Sequence, residues 1–336
     1  MTAVRELADR FHRRWLEKNP FAATMYGIPG YDDLVPDESE EGEQAWRAEI
    51  ERFGTEAAAI ASEQLTPADA VTLDCTKEAV IQELETIDLA RSEYTVTAMQ
   101  YAGPSTLLAV AARTVLVDPD AAEAYLTRLR RSGTWLDQAG DRLRAGARKG
   151  RFPVAPLVEQ AIAWAEGVLA APAPEPLLSP RPPQGWPRAA AWEEERRTVA
   201  EQVVKPALAR WVATISGLLP RARPSDRAGL VHLPGGAAAY ARAVRICTTL
   251  PLRPEELHQT GLDHIAALEA RAVELGAGLG LSGRDEVFAA LRDSAGKISA
   301  EEAIRQAVAA VRRAEARAVE LFPQPLPPPC EVTPMP

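Results

Sequence analysis

The sequence predicts a mostly all-α protein, built from long antiparallel helices with little sheet. Three observations predict it. Apolar residues recur at helical rather than alternating spacing along most of the chain. Several of these stretches open on a capping residue followed by proline, as at Thr66-Pro67 and Asp118-Pro119. Proline-dense connectors, rather than strand-and-turn punctuation, set them apart.

The elements follow in order. Leu7, Phe11, Trp15 and Leu16 form a helical stripe that Asn19-Pro20 ends. GIPGYDDLVPD is a loop of turn formers. A Glu-rich helical pattern covers about 39–63. Thr66 should cap the next helix, with Pro67 where a missing N–H costs nothing and Asp69 near the positive end of the dipole. That helix should run to about Ser92, burying Leu73, Val80, Leu84 and Ile87. Tyr94 to Pro104 is β-branched and aromatic, which fits a short strand or an extended loop. A short helix follows near 105–114, and a long one from Asp118-Pro119 to about Lys149. Its stripe holds Tyr125, Leu129, Trp135, Leu136 and Leu143, and Gly150 suits the position after its end. One more helix spans 153–169.

The segment APAPEPLLSPRPPQGWP, 171–187, favours extended polyproline and reads as a linker or an ordered arm. The helix over about 188–219 contains Pro206, which should kink or break it. Further helices are expected near 237–247, 254–275, 283–292 and 299–321, the last with a Ser299/Glu302 capping box. The tail 323–336 is proline-rich and expected to be extended.

Composition bounds the function. The 336 residues are 46% hydrophobic and 25% charged, enough for one large core or two smaller ones. A formal net charge of −9 argues against non-specific binding to nucleic acid or anionic lipid. No basic stripe is interleaved with aromatics. Cys75, Cys247 and Cys330 are far apart, odd in number and in no metal-ligand spacing, as expected of reduced thiols in a cytoplasmic protein. The charged, amphipathic N-terminus lacks a secretory apolar core, and no apolar run is long enough to span a bilayer.

No assembled catalytic centre is legible. His258 and His264 are six residues apart, about 240° around a helix, so they face different sides. No His-Glu dipeptide occurs among the neighbours of His12, His232, His258 and His264. Gly276 to Gly283 looks like a phosphate loop, but a helix precedes it where a strand is needed, so a helix C-cap is expected. Leu233 to Gly236, LPGG, fits a plain turn, or backbone N–H groups opened to an anion at a helix start. No nucleophile elbow is present. Glu255 and Glu256 sit where a helix dipole explains them. Trp135, Trp164, Trp192 and Trp211 are expected in the core.

A resemblance carries more. His232-Leu233-Pro234-Gly235-Gly236, then Tyr240, Arg245, Thr248-Thr249, Pro254-Glu255-Glu256, His258 and Gly261-Leu262, resemble a large bacterial family, domain of unknown function eight-eight-five. Asn19-Pro20, Ala23-Thr24, Gly27 and Gly30-Tyr31-Asp32-Asp33 agree in the same order. So do Leu65-Thr66-Pro67 to Asp74, Tyr125-Leu126, Arg128-Leu129, Gly150-Arg151, Pro176 to Pro180, and Lys205-Pro206-Ala207-Leu208. Members of that family resemble helical zinc peptidases. The resemblance implies a helical bowl around a cleft, of which these helices form half. It also implies a zinc-binding His-Glu and Pro-Gly-His-His segment in a complete member, and that segment is not found in this chain.

The regions 1–170, 171–187, 188–322 and 323–336 then read as one continuous partial family domain. The expectation is the N-terminal part of a metallopeptidase-like hydrolase, inactive alone, acting on a peptide-like small substrate. The alternative is a non-catalytic helical binding or scaffold protein derived from that family. No catalytic or metal-ligating residue is assigned and no cofactor is expected in this chain. Tyr240, Arg245 and His258 are the candidate substrate-binding groups: arginine for a carboxylate, tyrosine or histidine for a developing oxyanion. Partners expected are a C-terminal half or a second copy, through an exposed hydrophobic patch.

Overall fold

The computed structural model describes residues 2–61, 65–99, 103–172, 175–294, 296, 298–322 and 328–333. Its helices are α1 (Ala3–Lys18), α2 (Pro20–Met25), α3 (Glu40–Ala59), α4 (Pro67–Leu89), α5 (Ser105–Ala111), α6 (Pro119–Arg148), α7 (Ala155–Ala170), α8 (Glu175–Leu178), α9 (Ala189–Val199), α10 (Lys205–Leu218), α11 (Gly236–Thr248), α12 (Pro254–Ala277), α13 (Arg284–Ser294) and α14 (Ala300–Leu321). Among the described residues the one β-type pairing is an isolated parallel bridge, Val154 to Arg223. The fold is all-α. No helix among the described residues is long and apolar enough to cross a membrane.

The chain forms two compact units, Met1–Pro254 and Glu255–Pro336. The first holds two cores. In one, α1, α3 and α4 pack Val4, Leu7 and Phe11 against Trp46, Ile50 and Phe53 and against Leu73 and Val80. Phe11 and Phe53 meet edge to face at 5.4 Å, an arrangement the ring quadrupoles favour. The other core surrounds α6, whose Tyr125, Leu126, Leu129, Trp135, Leu136 and Leu143 are buried among α2, α5, α7, α9 and α10.

Thr66 caps α4 by accepting from the Asp69 N–H at 3.2 Å, and Asp118 caps α6 by accepting from the Ala121 N–H at 2.8 Å. Gly150 follows α6 at φ +76°. Helix α4 ends at Leu89, three residues before the expected end, because Ala90 turns left-handed at φ +48°. A 3-10 turn, Arg91–Glu93, then carries Glu93 inward. Residues 95–99 continue without helix or strand. Helix α3 ends at Ala59, and residues 62–64 of its expected span lie outside the described residues.

Proline 206 neither breaks the helix nor leaves it regular. A π turn, Ala200–Val204, joins α9 to α10 just before it; wider turns of this kind absorb a disrupted hydrogen-bond ladder. The segment 171–187 is an ordered arm as far as it is described, with residues 173–174 outside that range. It contains α8, whose Leu177 is fully buried. Its Leu177 carbonyl accepts from the Tyr125 hydroxyl at 2.9 Å, and its Pro180 carbonyl accepts from Arg196.

In the second unit, Gly276 lets α12 and α13 approach, since a Cβ there would lie 2.3 Å from Val287. Leu281 donates back to the Gly276 carbonyl at 3.0 Å and Gly280 is left-handed, which makes this glycine run the expected helix C-cap. Ser299 caps α14 at 3.1 Å, but the capping box is incomplete. The Glu302 carboxylate turns to Arg305 and Gln306 instead. Of the proline-rich tail, residues 328–333 are described and are not helical.

Candidate functional site

A cavity of about 330 Å³ opens in the first unit. Asn19, Phe21, Glu38, Arg91, Trp135 and Trp211 contribute to its wall. A second hollow of about 280 Å³ shares Asn19, Pro36, Glu38, Arg91 and Ser92 with it. Glu38 therefore stands in the wall common to both.

The loop that carries Glu38 is held from α6. Arg128, fully buried, donates Nε to the Leu34 carbonyl at 2.9 Å, Nη1 to Thr24 Oγ1 at 2.9 Å and Nη2 to the Tyr31 carbonyl at 2.6 Å. Its guanidinium lies 5.5 Å from the centre of the Phe21 ring, and Asp32 is 3.5 Å away. Burial pulls its pKa down from the ordinary arginine value, with Asp32 opposing; a guanidinium keeps its proton regardless. One turn on, Arg131 pairs with Asp33 at 2.8 Å. Two turns further, Gln138 accepts from the Glu38 N–H at 3.1 Å and donates to Asp37 at 3.0 Å. One face of α6 thus fixes residues 24–38.

The Glu38 carboxyl is half-buried and makes no ion pair among the described residues. Burial is the main cause that pushes its pKa up, and Glu43 adds to it. Lys18 and Arg142 oppose, but each has another partner. Arg142 donates to Glu43 at 2.7 Å and lies 3.6 Å from Glu93. Lys18 donates to the Asp37 carbonyl. The Trp135 indole N–H lies near Glu38 yet has no hydrogen-bond partner, although the residue is only 4% exposed. Trp135 stacks edge to face on Phe21 at 5.1 Å. Asn19 donates Nδ2 to the Trp15 carbonyl at 2.9 Å, which leaves its Oδ1 open. Arg91 is exposed, with no side-chain partner among the described residues.

The residues singled out from sequence lie elsewhere. Tyr240 is exposed on α11. Arg245, on the same helix, donates both Nη atoms to Glu78 of α4 at 2.7 Å each. That bond raises the arginine pKa and lowers the Glu78 pKa. His258 is exposed on α12, in the second unit. None of the three lines either hollow. The LPGG run forms a tight turn: Gly235 has φ +70°, and a Cβ on Gly236 would lie 1.9 Å from the Leu230 carbonyl oxygen. The close backbone approach there serves the chain itself. Sequence reasoning passed over Glu38, and it named Arg128 only as part of the family resemblance, without a role. Arg128 had a signal, because it falls on the apolar stripe of α6 three residues after Tyr125 and seven before Trp135.

Among the described residues, no group of three His, Cys, Asp or Glu side chains is placed to hold a metal ion. These residues do not assemble a zinc site, and none is given a role toward zinc.

Residues 20–336 match the family described as bacterial protein of unknown function, DUF885. The chain belongs to this family. Among curated proteins, none matches it. Two solved structures share its fold. One is a candidate lipoprotein from Colwellia psychrerythraea, 19% identical, with a TM-score of 0.78 over 96% of this chain and 61% of that one. The other is a candidate lipoprotein of unknown function from Shewanella oneidensis, 12% identical, with a TM-score of 0.64 over 96% of this chain and 57% of that one. The chain therefore spans about three-fifths of the length of these two solved structures.

Proposed function

We propose that these helices form part of the wall of a metallopeptidase-like hydrolase of the DUF885 family, and that the zinc-binding residues come from a further, C-terminal portion of the family fold. The observation that carries this reading is the second unit. Among its described residues only Gly276 and Val287 are buried. Helix α12 exposes Leu262, Ile265, Leu268 and Leu275, and α14 buries nothing. Helices with this many apolar side chains in water are covered in a complete fold or assembly. The longer solved structures supply the material for such a cover.

In this reading the chain contributes substrate contacts and no catalytic group. Tyr240 and His258 are available at the surface, and Arg245 would exchange Glu78 for a substrate carboxylate. The test is reconstitution. The purified chain with added zinc is expected to leave a peptide library uncut. Adding the C-terminal portion of a longer family member should yield a stable complex and zinc-dependent cleavage. Cleavage by the chain alone, abolished by substitutions within it, overturns the reading, and so does failure of the added portion to bind.

A further inference from the structure

The cavity beside Glu38 has unmet chemical demand, independent of how the family's hydrolase reading fares. Among the described residues the Glu38 carboxylate has no ion pair, only the Trp135 indole N–H beside it, and Asn19 Oδ1 has no N–H or O–H aimed at it. Lys18 and Arg142 attract Glu38 from a distance, but neither pairs with it directly: Arg142 donates to Glu43 and Lys18 to the Asp37 carbonyl. Phe21, Trp135, Trp211 and Leu143 give the wall its aromatic and aliphatic part, and Ser92, Thr95, Thr97 and Thr106 add hydroxyl-bearing residues. Arg91 also lines the space, but it is exposed and is not among the charges acting on Glu38. A half-buried lone carboxylate next to aromatic rings is the arrangement that holds an organic cation, by an ion pair on one side and ring faces on the other. The volume suits a small molecule and lies at the low end for ligand pockets.

We propose that this cavity binds a small organic ammonium ion with an aryl or branched hydrocarbon body. Glu38 and Asn19 Oδ1 accept from the ammonium group, while Phe21, Trp135 and Trp211 surround the body. The binding is non-covalent and needs no cofactor.

The test uses phenethylamine as the probe and 3-phenylpropionate as its opposite-charge counterpart, titrated calorimetrically into the full chain. Phenethylamine is expected to bind saturably, and Glu38→Gln, an isosteric change, should weaken it about ten- to a hundredfold. A second readout needs no variant. Binding to the unaltered chain should weaken as pH falls through the raised Glu38 pKa, because a protonated carboxyl no longer attracts the cation. The charged groups facing Glu38 are Lys18, Arg142 and Glu43, with Arg91 and Asp37 in the same walls. No saturation below about 10 mM phenethylamine overturns the proposal. So does tighter binding of 3-phenylpropionate, or equal binding by Glu38→Gln.

Discussion

Replacing Arg128 by methionine should destabilise the first unit by about 3–5 kcal/mol, the usual cost of removing one side of a buried charged network. The structure gives the reason. The side chain is fully buried and makes three hydrogen bonds, two of them to backbone carbonyls, Leu34 and Tyr31, that no substitution can remove. Each acceptor left without a donor costs about 1–3 kcal/mol. Against this stands the relief of no longer burying a guanidinium, which keeps the net below the sum of the three. Methionine restores most of the packing against Phe21, so the loss is polar rather than a cavity. Arg128→Lys should lose nearly as much, because an ammonium cannot span acceptors that a planar fork reaches together.

Urea denaturation followed by tryptophan fluorescence is the suitable assay. All seven tryptophans precede residue 212, so the signal reports the first unit alone. With a slope of about 3 kcal/mol/M, the midpoint should fall by about 1–1.7 M. Limited proteolysis should cut within 26–37 earlier than in the unaltered chain. A loss under about 1 kcal/mol with an unchanged slope would refute the clamp.

Two further outcomes are expected. Glu93 is 2% exposed and holds Lys149 at 2.6 Å and Arg151 at 2.8 Å, so Glu93→Gln should cost about 3 kcal/mol in the same denaturation assay. A loss near zero would mean the two cations rest elsewhere. Tyr125→Phe removes the hydroxyl that satisfies the Leu177 carbonyl of the arm, and should cost about 1–3 kcal/mol and speed amide exchange in α8. Unchanged exchange there would show that the arm is held by Leu177 packing alone.

The helices were legible because their signals are local. Thr66-Pro67 and Asp118-Pro119 mark starts through bonds spanning three residues, and the α6 stripe repeats within the helix itself. The details that escaped depend on distant partners. Ala90 turns left-handed where Glu93 must reach Lys149 and Arg151, more than fifty residues away. Helix α8 forms inside a proline-rich stretch because Leu177 finds a place in the core around α6. The Glu38 cavity depends on Arg128 gripping a loop about a hundred residues earlier. Nothing in the local pattern around Glu38 distinguishes it from its acidic neighbours Asp37, Glu40 and Glu41.

Several of the residues on which the family resemblance rests share a physical role. Tyr125 holds the Leu177 carbonyl, Arg128 holds Thr24 and Tyr31, Arg151 holds Glu93, Lys205 holds the Ala171 carbonyl and Arg245 holds Glu78. Each joins segments far apart in sequence by a hydrogen bond within the chain. Such residues specify how the helices assemble, and a family can be recognised by them without their touching a ligand. Groups that act on other molecules have the opposite signature, a polar demand the fold leaves open. Glu38 and the Trp135 N–H show it, and neither belongs to the recognised pattern; Asn19 belongs to both sets. The open polar demand at Glu38 and Asn19 therefore marks a ligand site separate from Tyr240, Arg245 and His258 of the family motif.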